Sequence, residues 1–298
     1  MIKTKKIPKA FSLIELSIVI LIIGILVAGV TQSSRLIRQM KLSSAQSITR
    51  GSPVPTITGL IAWYETTSSD IFSTGSTNFN DLERPDNNQQ INRWKDLNPL
   101  LTDSYRNHAV QTNVAFQPSY IDNAINGLPA INFNNNLLVS TVNNGDVLAM
   151  TIFAVFYTNS DLATHQGIII TDGNWVSNSF TYTIHNANYF YYRTAGVYGL
   201  NSSASIPLKT PTLTQLIDDG KGNIRLYTSG QNMISVNVLT PAKSLNLFDI
   251  GGWWVGGVSG GESLSGGIGE IIIFSRALNE EERKAVESYL AKKWAIKV

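Results

Sequence analysis

A carboxylate inside an apolar run is the first group in this 298-residue chain that chemistry must account for. Glu15 is the single charge in FSLIELSIVILIIGILVAGV, the twenty residues from Phe11 to Val30. An ionised carboxylate in such a helix costs about 2.5 kcal/mol or more in a bilayer, so it requires a partner. Other reactive residue types lack a reactive spacing. Glycan hydrolysis needs two carboxylates about 5–9 Å apart, which on a strand means alternating acids. No Glu-x-Asp-x-Glu or comparable cluster occurs. Glu270 reads as an isolated acid at the start of a strand, and Glu280 to Glu282 as a helix cap. Gly257-Val258-Ser259-Gly260-Gly261 fits G-x-S-x-G, but it lies in a Gly-rich loop between strand-like runs rather than at a strand-to-helix elbow. His108, His165 and His185 are scattered without metal-ligand spacing. Asp218-Asp219-Gly220-Lys221-Gly222-Asn223 reads as a hairpin turn, its acids adjacent rather than alternating as a calcium loop requires. The expectation is no catalytic residue, no metal and no cofactor. Binding is the remaining chemistry. Trp175, Tyr189, Tyr191, Trp253 and Trp254, with Asn186 and Asn188 nearby, are candidate ligand contacts; the same aromatic alternation also describes an ordinary core face and surface face.

The elements that position these residues divide the chain in two. Charged residues are 15% and hydrophobic residues 43% of the total, and much of the apolar excess precedes residue 31. The formal charge of +2 is a local effect, because Lys3, Lys5, Lys6 and Lys9 stand in the first ten residues. Without them the chain is slightly acidic, which leaves no basic footprint for nucleic acid. Cysteine is absent, so neither a disulfide frame nor a thiolate metal site exists. The twenty-residue run, at 1.5 Å per residue, matches a bilayer core of roughly 30 Å. Three readings compete: a signal peptide, a plain anchor and an assembly helix. A signal peptide has a shorter apolar core and a small-residue cleavage site, and Ala28-Gly29 lacks that spacing. A plain anchor leaves Glu15 unexplained.

KKIPKAFSLIELSIVILIIGILVAGV resembles the N-terminus of type IV prepilins and pseudopilins. The resemblance implies cleavage on the cytoplasmic side by a prepilin peptidase, between Ala10 and Phe11, followed by N-methylation of Phe11. Glu15 then becomes the fifth mature residue, where the family places its glutamate, and pairs with the α-amino group of a neighbouring subunit. The family usually has glycine before the cut, and this chain has Ala10, a departure that bears on the rate of processing. Arg35, Arg38, Lys41 and Arg50 follow the span, so charge alone does not set its orientation. No proline intervenes between residues 9 and 52, and the helix is expected through residue 50. Pro53 and Pro55 then mark a linker over 51–58.

From residue 59 onward, short β-prone runs alternate with Gly, Asn, Asp and Ser: GLIAWYE, AINFN, TIFAVFY, GIIIT, FTYTI, NIRLYTS and GEIIIFS. This density predicts an all-β sandwich or jelly roll. One helix closes the chain, with Asn279 as cap, Glu282 at the capping-box position, an apolar stripe of Val286, Tyr289, Leu290 and Trp294, and Lys292-Lys293 in its last turn. GLIAWYE, Trp94-Lys95-Asp96-Leu97, Gly127 to Phe133 and GGIGEIIIFSRALNEEERKAVESYLAKKWAI together resemble the laminin-G-like group of concanavalin A-like jelly rolls over most of 59–298. That group implies a recognition domain for glycan or protein; it also includes calcium binders, for which this chain shows no ligand motif. The loop WKDLNPLLTDSYRNHA departs from the group's pattern.

The expected protein has a leader (1–10), a transmembrane and assembly helix (11–50), a linker (51–58) and a concanavalin A-like jelly-roll sandwich with a C-terminal helix (59–298). Its expected role is a non-catalytic minor pilin or pseudopilin of a type IV pilus or type II secretion system, displaying the jelly roll for adhesion. Its expected place is the bacterial inner membrane, with the sandwich periplasmic or extracellular. Its partners would be other pilin subunits, the prepilin peptidase, the inner membrane, and a glycan or surface protein, without nucleic acid. Two alternatives stay open: a membrane-anchored lectin-like binder outside any filament, and a glycan hydrolase.

Overall fold

A computed structural model describes residues 12–75, 79, 81–160, 165–171, 178–185, 189–194, 197–255, 258–259 and 262–298. The chain forms two compact units that meet between Ser43 and Ser44. The first holds most of helix α1 (Leu13–Arg50), whose apolar residues from Leu13 to Val30 stand open: Leu13 is 85% exposed and Ile18 51%. Its mean hydropathy of 2.9 and its length suffice to cross a membrane.

The second unit is an all-β sandwich closed by helix α2 (Glu280–Trp294). An eight-stranded sheet runs in the order Gln231–Asn237, Asn223–Thr228, Thr212–Asp218, Met150–Thr158, Gly266–Phe274, Leu128–Phe133, Ser119–Ile125, with Leu60–Glu65 also paired to Gly266–Phe274. A nine-stranded sheet faces it, running from Val197–Ser205 through Tyr189–Thr194, Phe180–His185 and Gln166–Thr171 to Asp249–Ile250, Leu138–Ser140 and three two-residue strands. Every one of the expected apolar runs lies on a strand, and Asp218–Asn223 turns a hairpin between the strands Thr212–Asp218 and Asn223–Thr228. Asp219 fixes that turn: its carboxylate accepts from Lys221 N at 2.8 Å, Asn223 N at 2.9 Å and Asn223 Nδ2 at 2.6 Å.

Two apolar layers explain the sequence pattern. Tyr64, Trp94, Phe133, Phe156, Tyr182 and Tyr192 fill the space between the sheets. The outer face of the eight-stranded sheet is covered as well, by Val286, Tyr289, Leu290 and Trp294 of α2 packed on Phe153, Val155, Ile272 and Phe274. The strands Met150–Thr158 and Gly266–Phe274 are therefore buried on both faces, which is why they read as continuous apolar runs rather than alternating ones. The expected capping box is present: Asn279 Oδ1 accepts from Glu282 N at 2.9 Å, and Glu282 Oε2 accepts from Asn279 N at 3.0 Å.

Residues 51–58, read above as a linker, belong to this second layer. Val54 and Ile57 are buried there with Ala45 from the last turns of α1. Gln46 Nε2 donates to Thr67 O at 2.9 Å, and Thr49 is buried, its hydroxyl donating to Ala45 O at 3.0 Å. The prolines end the helix, but their apolar neighbours continue the core.

Candidate functional site

At the start of α1, Ser12 and Glu15 form a local pair. Glu15 Oε2 accepts from Ser12 N at 2.8 Å and Ser12 Oγ accepts from Ile14 N at 3.3 Å. This is a capping arrangement that satisfies two of the first turn's open N–H groups. Glu15 itself is exposed, as are the apolar residues on every side of it. The junction residues Ala10 and Phe11 lie outside the described residues.

The expectation of an isolated Glu270 is corrected by strand register. Glu270 sits directly across from Glu65 on the neighbouring strand, and both are buried. Like charges placed so are destabilising unless a cation joins them. Lys293 does so, its Nζ 2.8 Å from Glu65 Oε2 and 2.8 Å from Glu270 Oε2. Glu270 also accepts from Trp63 Nε1 at 2.8 Å, Tyr289 OH at 2.6 Å and Trp294 Nε1 at 2.8 Å. Glu65 accepts from Thr67 N at 2.7 Å and Ser68 N at 2.9 Å. Burial pushes the Glu65 carboxyl up, but Lys293 and these hydrogen bonds outweigh it and hold the group at about 2. The Lys293 ammonium is likewise held above its usual range, because the two carboxylates outweigh its desolvation. Lys293, read from sequence as a last-turn cation, thus points inward and fastens α2 to the sheet. Gly269 lets this happen, since a Cβ there would stand 2.6 Å from Trp294 Cη2. The two carboxylates meet, but both are buried and share the single cation of Lys293.

Two further buried carboxylates are also spent on the fold. Asp218 accepts from Tyr192 OH at 2.8 Å and pairs with the fully buried Lys243 at 2.9 Å. Asp96, in the loop that departs from the laminin-G-like pattern, accepts from the backbone N–H groups of Trp63, Asn98 and Asn107. Burial raises the Asp96 carboxyl to about 6 in spite of those bonds.

The outer face of the nine-stranded sheet is different. Phe180, Tyr182, Ile184, Phe190 and Tyr192 point into the sandwich core, so Thr181, Thr183, His185, Tyr189, Tyr191 and Arg193 share the opposite face. His165 was expected to stand apart from His185; strand pairing instead stacks their rings, 4.0 Å between centroids and 12° between planes. Tyr191 leans on both, 5.0 Å from each. Its ring lies over Gly199 of the next strand, where a Cβ would be 1.8 Å from Tyr191 Cε2. Glu262 Oε1 stands 3.6 Å from His165 Nδ1, and Gly167 N donates to Glu262 O at 2.9 Å. Burial lowers the His165 imidazole, and the charges of His185 and Arg193 lower it further, to about 4. Burial raises the Glu262 carboxyl, with Arg193 opposing.

Of the expected ligand contacts, Tyr189 and Tyr191 lie on this face. Trp253 lies close by in the chain path, on one arm of a hairpin whose other arm carries Glu262; the Leu264 N to Gly251 O bond and the Trp254–Ser259 pair bracket the two. Trp254 is placed by its backbone in that hairpin. Trp175, Asn186 and Asn188 lie outside the described residues, as do Gly257, Gly260 and Gly261; Ser259 forms a two-residue strand with Val258, not a helix elbow. Sequence reasoning missed His165, His185, Arg193 and Glu262 as a group. The only available signal was the alternation Thr181-x-Thr183-x-His185 followed by Tyr189-x-Tyr191-x-Arg193 across a short turn.

Comparison with known proteins supports both halves. Residues 6–31 match the prokaryotic N-terminal methylation motif. No curated protein matches the chain. Among solved structures, the sandwich is similar to Trypanosoma rangeli sialidase in complex with sialic acid, at 13% identity and a TM-score of 0.50, over 80% of this chain and 34% of that one. The same enzyme as a covalent intermediate with 2,3-difluorosialic acid gives 12% identity and a TM-score of 0.50, over 80% and 33%. The chain thus spans about a third of the length of those sialidases. At such identity the likeness is one of fold. The chain carries a prepilin-type methylation motif followed by a β-sandwich domain of that general architecture.

Proposed function

We propose that this chain is a non-catalytic minor pilin or pseudopilin that displays its sandwich as a recognition domain. The observation that carries the reading is the methylation motif at 6–31, which leads into a helix whose apolar residues from Leu13 to Val30 are all exposed, with Glu15 as its one carboxylate. In this reading the helix holds the precursor in the inner membrane, the peptidase cuts between Ala10 and Phe11, and Phe11 is N-methylated. Glu15 then exchanges its Ser12 N–H for the new α-amino group of a neighbour. In an apolar interface that charge-assisted pair sets the stagger between subunits. The sandwich, of concanavalin A-like and laminin-G-like type, is carried outside the inner membrane for adhesion or for glycan or protein binding. Its carboxylate pair supports a non-catalytic role, since Glu65 and Glu270 hold a lysine rather than a substrate.

The test is Glu15→Ala in a strain complemented with the variant. Incorporation into filaments is expected to fall at least about tenfold while the membrane level stays unchanged. Unchanged incorporation contradicts the reading. The internal Ser12 N to Glu15 bond favours one second reading, a membrane-anchored lectin-like binder outside any filament, because it gives the carboxylate a partner within its own chain. The same variant separates the two: an anchor tolerates it.

A further inference from the structure

The outer face of the nine-stranded sheet gathers groups that neither the sandwich core nor α1 uses. His165, His185 and Tyr191 form one ring cluster, Tyr189 stands across the strand pair from His185, and Glu262 and Arg193 flank them. We propose that this cluster is a binding site for a neutral sugar, held by Glu262 and Arg193 and packed against the rings of Tyr189, His185 and His165. The proposal rests on the recognition role above and gives it a place and a ligand class.

Three observations carry it. The first is chemical complementarity. A sugar hydroxyl both donates and accepts, Glu262 accepts, Arg193 donates, and a neutral imidazole does one of each. The ring surfaces suit the C–H face of a pyranose, in the usual arrangement of an apolar platform with a few convergent polar groups. The second is charge. Glu262 and Arg193 oppose each other, so an anionic sugar meets the Glu262 carboxylate and a cation meets the Arg193 guanidinium. The third is unmet hydrogen bonding. His165 Nε2, Thr181 Oγ1, Thr183 Oγ1 and Trp253 Nε1 are buried with no hydrogen-bond partner among the described residues. Buried polar groups are ordinarily paired; other unpaired atoms occur elsewhere in the sandwich, such as Asn92 Oδ1 and Thr228 Oγ1, and on this face it is His165 Nε2, beside the open ring cluster, that a ligand hydroxyl would satisfy. His165, Glu262, His185, Tyr189 and Arg193 keep part of their surface open, which leaves a ligand room to approach.

The experiment applies the full chain, in detergent micelles, to an array of galactose-, glucose- and mannose-terminated neutral oligosaccharides beside sialylated ones. The best ligand is then titrated by calorimetry against the wild type, Glu262→Gln and Tyr189→Ala. Retention of neutral glycans, with affinity reduced about tenfold or more in both variants and an unchanged melting temperature, is the expected result. Neutral binding that both variants leave intact overturns the site while the recognition role stands. Preference for the sialylated ligands overturns the neutral class. No retention of any glycan overturns the site and the glycan form of the recognition role together.

Discussion

Glu15 and Glu270 are both carboxylates set among apolar residues, and they are treated in opposite ways. Glu270 is 1% exposed and receives Lys293, two indole N–H groups and a tyrosine hydroxyl, all from its own chain. Glu15 is exposed on a helix with no buried apolar residue near it and, among the described residues, accepts from Ser12 N. The difference separates a charge that completes a fold from one that, in the proposed role, takes its further partner from a neighbouring subunit. A carboxylate oxygen pair can accept about four hydrogen bonds. Glu270 has filled its capacity; Glu15, among the described residues, has not.

The largest expected effect comes from breaking the filled group. Lys293→Ala leaves two buried carboxylates facing each other, which should cost about 3–5 kcal/mol. For a domain of this size that corresponds to roughly 10 °C in melting temperature, read by thermal denaturation of the full chain in detergent. A shift under about 2 °C would show that Lys293 does not hold α2. Glu270→Gln keeps an acceptor but turns donors toward donors, at a cost of about 1–3 kcal/mol. Glu15→Ala, the other arm of the comparison, should leave the melting temperature of the sandwich unchanged while abolishing assembly; a drop like that of Lys293→Ala would erase the contrast.

Acid should act on the same group. The folded state holds Glu65 at about 2, below its ordinary 4.5, so folding favours the carboxylate. Its contribution is fully present above the ordinary value and is lost as pH falls from about 4.5 toward 2. A melting temperature flat from pH 5 to 2.5 would contradict this. Lys293→Ala should also flatten that acid limb.

The smallest effect concerns the boundary. A fragment beginning at Gly59 loses Ala45, Val54 and Ile57 from the second layer, whereas one beginning at Ser44 keeps them. The shorter fragment should melt several degrees lower, as partial loss of a buried apolar layer implies. Equal melting temperatures would make residues 44–58 a linker after all.

The sequence was most legible where the determinants are local. The capping box Asn279-x-x-Glu282, the stripe from Val286 to Trp294, the Asp219 turn and the apolar runs each lie within a few residues, and each appears where expected. Glu15 stands out in the sequence because a lone charge violates its surroundings, and its role remains part of the proposal. The Lys293–Glu65 contact was not, since it joins residues 228 positions apart and depends on strand register. Lys293 also satisfied a local rule, a cation in a last helical turn, that concealed its inward role. The His165–His185 stack was hidden for a similar reason. Helical or metal spacing would have revealed it, but a register shift between Gly167 and Ile169 on an antiparallel strand pair has no such signature in one sequence.

The proposed role turns on one peptide bond, and the mature N-terminus tests it most directly. Intact-mass and N-terminal analysis of the protein purified from assembling cells should show a chain that begins at Phe11, carries one methyl group on its α-amine and lacks residues 1–10. A chain retaining Met1, or beginning anywhere beyond Phe11, would contradict the pilin-type account.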